Sequence, residues 1–224
     1  MPEVHVHAPH ELTETHGASV SNRERIFELG AVFLLSIATV CIAWSGYQAA
    51  RWSGLQSENY AKASTARSLA NRAATDGDEE RLEDLLNFNR WLESSTQGDT
   101  VLADLYRRRF RTEFLPAFNA WQATDPLNNP AAAASPLRMP QYLLADELKA
   151  DELELQGDRH FAEAREATEN ADKYIFGTVF FAAVLFFAGI SMRFAWAPMR
   201  VTVLALACAF LAYGGIQLLR LPRH

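Results

Sequence analysis

The run 174-YIFGTVFFAAVLFFAGISM-192 holds no charged side chain and no proline, and Lys173 and Arg193 bracket it. As a helix rising about 1.5 Å per residue it spans roughly 28 Å, close to the ~30 Å hydrocarbon thickness of a bilayer. A helix satisfies its own backbone hydrogen bonds in lipid. A helix of a soluble core would keep a polar stripe, and this run keeps none. It is therefore read as a membrane span, and the rest of the chain is read around it.

Two further apolar stretches flank a charged middle. The first runs from about Ile26 to Ala50, inside a helix expected to begin at Ser21, which has capping-box spacing to Glu24. The third runs from about Val201 to Leu219, with Ala205, Ala209 and Gly214-Gly215 as an expected helix-packing face. The expected organisation is a polar tail over 1–20, a first span over 21–50 and a helical domain over 51–173. A second span over 174–192, a basic loop over 193–200, a third span over 201–219 and a short tail over 220–224 follow. Trp44, Tyr47, Trp52, Tyr174 and Trp196 stand at the span ends, where aromatic rings anchor at the membrane interface.

The mean hydropathy of -0.10 averages these apolar ends with an acidic centre. Between Arg51 and Lys173, 15 lysines and arginines stand against 22 acids, the reverse of the basic footprint that nucleic-acid binding requires. Both cysteines, Cys41 and Cys208, lie in apolar segments, so the middle needs no disulfide. His5, His7, His10 and His16 sit in the N-terminal tail. Such a tract can bind metal, but no cysteine or carboxylate shell accompanies it, and it is read as a disordered polar tail. The tail lacks the basic start and short apolar core of a cleavable signal peptide.

The middle is expected to be an antiparallel four-helix-bundle-like domain between spans one and two, in an all-α protein. Its first helix continues from the first span to about Thr75, with Trp52, Leu55, Asn59, Ala63, Ala66, Ala70 and Ala73 on an inward seam. Asp76-Gly77-Asp78 is expected to turn the chain into a second helix, about Asp78 to Ser95, carrying Leu82, Leu85, Leu86, Phe88 and Leu92, and Gln97-Gly98-Asp99 to turn it again. The third helix, about Asp99 to Ala123, carries Leu102, Tyr106, Phe110, Phe114 and Phe118 at spacing four, then Trp121, with Pro116 expected to kink or break it. Four prolines between Asp125 and Pro140 impose an irregular crossing, and a fourth helix from Gln141 leads into the 174–192 span.

No phosphate loop, zinc pair or di-iron motif occurs, so no cofactor and no catalytic group is assigned. His160, near Asp158, is read as a solvent-exposed histidine. Arg107, Arg108, Arg109 and Arg111 form a basic patch. Consecutive residues point around a helix, so they pair with Glu79, Glu80, Glu83 and Asp84 or, on the sharper reading, Arg107, Arg108 and Arg111 meet an anionic ligand or partner.

Three phrases, AWSGYQAARWSG (Ala43 to Gly54), PLRMPQY (Pro136 to Tyr142) and YIFGTVFFAAVLFFAGI (Tyr174 to Ile190), carry a resemblance that covers roughly Ile26 to Leu219. The chain resembles an uncharacterised family of small bacterial three-span membrane proteins with a helical middle. The resemblance implies that architecture and a bacterial inner-membrane setting, and it brings no activity. The short basic 193–200 loop favours a cytoplasmic N-terminus and an extracytoplasmic helical domain. The expected role is a non-enzymatic interaction, scaffold or oligomer-assembly module, with the bilayer and copies of itself or other membrane proteins as partners. The alternatives are a sensor with a four-helix ligand-binding domain and a subunit of an oligomeric channel or transporter. The channel ranks last, because no span carries a mid-membrane charge.

Overall fold

The computed structural model describes residues 22–223, with side chains described from Arg25 onward. The histidine tail and the Ser21–Glu24 capping pair lie outside those described side chains. The elements are α1 (Asn22–Thr96), α2 (Thr100–Arg107), α3 (Leu115–Gln122), a 3-10 turn (Pro136–Arg138), α4 (Ala145–Ser191) and α5 (Ala197–Arg220). All regular structure among the described residues is helical. α1, α4 and α5 each contain a segment long and apolar enough to cross a membrane, consistent with an integral membrane protein. The chain forms two compact units: one from the residues up to Trp52 together with those from Glu169 onward, the other from Ser53–Thr168.

In the first unit, the apolar stretches of α1, α4 and α5 pack by size. Ala31, Ala38 and Ser45 recur every seven residues on α1 and are fully buried, as are Tyr174, Phe181 and Ala188 on α4. Small side chains on one helix leave room for large ones on the next, and in lipid such close packing replaces a hydrophobic driving force. Leu34, Ala38, Phe181, Val184, Ala188 and Ala207 form one cluster. On α5 the buried face is Val203, Ala207 and Gly214, whereas Ala205 and Ala209 are exposed. The expected Ala205/Ala209 face is thus corrected. The register is set by Gly214, where a Cβ would stand 3.1 Å from Phe181 Cε1 and 3.3 Å from Phe180 Cβ. Positions 207 and 203, about two and three turns before Gly214, share its side of the helix, and 205 and 209 do not.

In the second unit, residues 53–96 of α1 run antiparallel to residues 145–168 of α4. Tyr60 meets Phe161 at a ring-centroid distance of 5.6 Å, and Gly77 lies against Glu147. Of the expected seam, Asn59, Ala63, Ala66, Ala70 and Ala73 are buried, while Trp52 and Leu55 are only half-buried. The expected turn at Asp76-Gly77-Asp78 does not form, and α1 stays helical through it to Thr96. The physical reason is the packing at Gly77, where a Cβ would stand 3.2 Å from Glu147 Cγ and 3.4 Å from Glu147 N. The glycine serves a close approach of helices, not a reversal of the chain. The reversal comes at Gly98, with φ +80, the left-handed conformation that glycine adopts without steric cost. Asp99 then caps α2 by accepting from Leu102 N at 3.0 Å.

The expected third helix is also two pieces, and Pro116 explains the gap without lying in it. Proline sits in the first turn of α3, where no amide donor is needed, but its ring excludes a helical carbonyl four residues earlier. Residues 108–114 therefore form turns between α2 and α3. The aromatic stripe survives that break. Phe110, Phe114, Phe118 and Trp121 bury against Phe88 and Trp91 of α1. Trp91 meets Phe118 edge-on at 4.7 Å, and Phe88 meets Trp121 edge-on at 5.1 Å. Such pairs contribute about 0.5–1.5 kcal/mol each beyond area burial. The irregular 123–144 segment closes over this cluster, with Trp121 Nε1 donating to Ala133 O at 2.7 Å and Pro136 buried.

Candidate functional site

The most constrained polar group of the second unit is Asp84 on α1, 1% exposed. One oxygen, Oδ2, accepts from Arg111 Nη1 at 3.1 Å and from the Tyr142 hydroxyl at 3.1 Å. The other, Oδ1, is buried with no hydrogen-bond partner among the described residues. Arg111 also reaches Glu80, one helical turn before Asp84, at 2.8 Å. Three stretches thus meet at one carboxylate: α1, the 108–114 connection and the end of the proline-rich crossing.

Burial raises the Asp84 carboxyl above the ordinary value of 3.8, against the opposing pull of Arg111 and the Tyr142 hydrogen bond, with Glu83 and Glu80 pushing further upward. Burial and the nearby Asp84 charge push the Tyr142 phenol well above its usual range, so it stays protonated and donates. A carboxylate sealed this far from solvent is a tie between segments in this conformation, with no open face toward a substrate.

The four clustered arginines part company. Arg111 is the inward one, its side chain 16% exposed. Arg107 lies over the Phe118 ring at 5.7 Å, and Arg108 Nε donates to Asp104 O at 3.3 Å. Both line an open groove of about 630 Å³ with Asp104, Phe110, Leu115 and Asn119. Arg109 lines a different groove, of about 560 Å³, with Glu79, Leu82, Glu83, Leu86, Asn87 and Arg90. Arg107, Arg108 and Arg111 therefore do not converge on one point. Arg111 is taken up by Asp84 and Glu80, and Arg107 and Arg108 face the groove.

His160 Nδ1 lies 3.2 Å from Glu163 Oε2 and lines a third groove, of about 400 Å³, between α1 and α4. Across that groove Glu58 and Lys62 pair at 2.7 Å, each shifting the other toward its charged form. Among the described residues no three His, Cys, Asp or Glu side chains are grouped to hold a metal ion.

At the span ends, Trp44 and Tyr47 are exposed, with ring centroids 5.9 Å apart, and Trp196 is 70% exposed. Trp52 and Tyr174 turn inward instead. Trp52 Nε1 donates to the Pro222 carbonyl at 3.3 Å, and the buried Tyr174 hydroxyl donates to it at 2.9 Å. Their sequence signal, an aromatic ring beside a span end, is the same as for Trp44. Only the position of Pro222 separates the two behaviours.

Tyr142 is the residue of this tie that sequence reasoning passed over, and Asp84 was named only as one of four acids able to pair with the arginine patch, a pairing that Arg111 makes with Asp84 and Glu80. Asp84 stands in a run of acids that look alike, and Tyr142 follows a proline-rich segment with no periodicity to place it. Compared with known proteins, the chain matches no family model, no curated protein and no solved structure.

Proposed function

We propose that the chain is a non-enzymatic integral membrane protein of the bacterial inner membrane whose helical middle acts as an interaction, scaffold or oligomer-assembly module. The carrying observation is an apolar floor with a charged rim on the second unit. Leu82 and Leu86, one turn apart on α1, are 55% and 50% exposed between Glu79, Glu83, Arg90 and Arg109. Apolar anchors ringed by charge are the composition of a protein-binding patch.

The preferred partner is a second copy. Each chain offers two long antiparallel helices in this unit, and two copies would complete the four-helix bundle that the pattern of the middle domain suggests. The N-terminus is placed in the cytoplasm and the middle domain outside it, on the charge of the 193–200 loop.

Crosslinking in native membranes tests the reading. The wild-type chain is expected to run as a dimer or larger species, and Leu82→Asp/Leu86→Asp as a monomer with unchanged helix content. Monomers alone in the wild type, with no co-purifying partner, would count decisively against it. A sensor role is the second reading, favoured by the Arg107/Arg108 groove, whose volume falls within the range of ligand sites.

A further inference from the structure

The end of the first unit where α4 gives way to α5 holds two arginines without acid partners among the described residues. α4 ends at Ser191 and α5 begins at Ala197, so Arg193 and Arg200 flank a short tight connection. Arg193 N donates to Ile190 O at 2.9 Å, which closes the turn. The Arg200 guanidinium lies over the Phe27 ring at 5.7 Å, and its Nε is buried with no acceptor among the described residues. Glu28 follows Phe27 but is exposed. A buried guanidinium N–H left without an acceptor is costly, and a charged oxygen is its strongest partner.

A second, independent feature points to the same chemistry. Trp196 stands at the N-cap of α5 without a side-chain capping bond, and Pro198 supplies no donor. The first-turn amides of Ala197 and Met199 thus lack intrahelical acceptors, at the end of the helix that favours negative charge. Trp196, largely exposed, sits beside them in the position of a headgroup-level ring.

We propose that Phe27, Arg193, the start of α5 and Arg200 form a binding site for the phosphate of an anionic phospholipid. It rests on α1, α4 and α5 crossing a bilayer, and not on the assembly role of the middle unit. Phe27 holds the Arg200 plane in place, the outer nitrogens of the Arg200 guanidinium and the first-turn amides meet the phosphate oxygens, and Arg193 adds charge from the connection. Basic pockets between spans take anionic headgroups on the same principle.

Native mass spectrometry of the detergent-solubilised full chain tests this, with phosphatidylglycerol or phosphatidylcholine added at equal concentration. The wild type is expected to retain phosphatidylglycerol over phosphatidylcholine. Arg193→Gln/Arg200→Gln is expected to weaken that retention roughly 25-fold, at about five-fold per arginine. Arg193→Lys/Arg200→Lys, a guard against misfolding of the Gln pair, is expected to recover part of it. The mirror pair Arg220→Gln/Arg223→Gln, at the other end of α5, is expected to leave it within two-fold.

Equal loss in both Gln pairs, or no preference for phosphatidylglycerol, overturns the site. Full displacement of the lipid by an equal concentration of inorganic phosphate overturns it in favour of a free-anion site. Release of the chain from membranes by alkaline carbonate overturns the membrane premise together with the site, whereas loss of crosslinked dimers touches neither.

Discussion

Arg111 holds Asp84 at 3.1 Å and Glu80 at 2.8 Å, so one guanidinium answers two carboxylates a helical turn apart. Removing it leaves a buried charge without its cation, which typically costs about 3–5 kcal/mol. Arg111→Met is therefore expected to lower the thermal midpoint of the detergent-solubilised protein sharply, by intrinsic tryptophan fluorescence. Arg109→Met, on the exposed side of the same connection, is expected to change it little.

Asp84 carries a pH signature of definite sign. Its folded carboxyl titrates above the ordinary 3.8, so the native state favours the protonated form. Its contribution to stability is full below the unfolded pKa and is lost as pH rises through the folded one. Asp84→Asn is expected to gain stability relative to wild type as pH rises from about 4 toward neutrality. Thermal midpoints of the two proteins that stay parallel across that window would refute the assignment.

Glycines of the second unit divide by what a methyl group would meet. At Gly157 a Cβ stands 3.1 Å from Arg67 Cγ and 3.4 Å from the Ala63 carbonyl oxygen, while at Gly54 nothing lies within 4 Å. Gly54→Ala is expected to stabilise by up to about 1 kcal/mol through helix propensity alone. Gly157→Val is expected to destabilise by about 1–3 kcal/mol through overpacking. Chemical denaturation of the two variants against wild type reads both signs.

Trp121 fastens the irregular crossing through Nε1 and the Ala133 carbonyl at 2.7 Å. Trp121→Phe keeps most of the ring contacts but removes the donor to a half-buried carbonyl, at an expected cost of about 0.5–1.5 kcal/mol. Faster proteolysis within 125–135, with helix content preserved, is the expected readout. An unchanged cleavage rate would mean that the crossing is held by its own Asp125, Asn128 and Asn129 hydrogen bonds.

How far the chain can be read without coordinates depends on which property decides each element. Hydropathy alone locates the three long apolar helices, because a bilayer-length run without charge has few other readings. Spacing alone finds the aromatic core residues Phe110, Phe114 and Phe118, although their helix is interrupted. Gly98 was legible as a turn, and Gly77 was misread as one. The two glycines differ only in whether another helix lies alongside, and a one-dimensional pattern does not hold that. The same limit hides Asp84 among Glu79, Glu80 and Glu83, since burial selects one acid of the four. It also hides the face of α5, where Gly214 sets a register that Ala205 and Ala209 do not share.

The Pro222 carbonyl accepts from both Trp52 and Tyr174, so residues of α1 and α4 converge on a single main-chain oxygen beyond the end of α5. Any amino acid carries that oxygen, so the clasp depends on reach and not on identity. Substitutions at 222 that keep the backbone in place should be silent, whereas shortening the chain ahead of it takes the acceptor from two aromatic donors at once. A purification tag or topology reporter is accordingly best fused after Arg223.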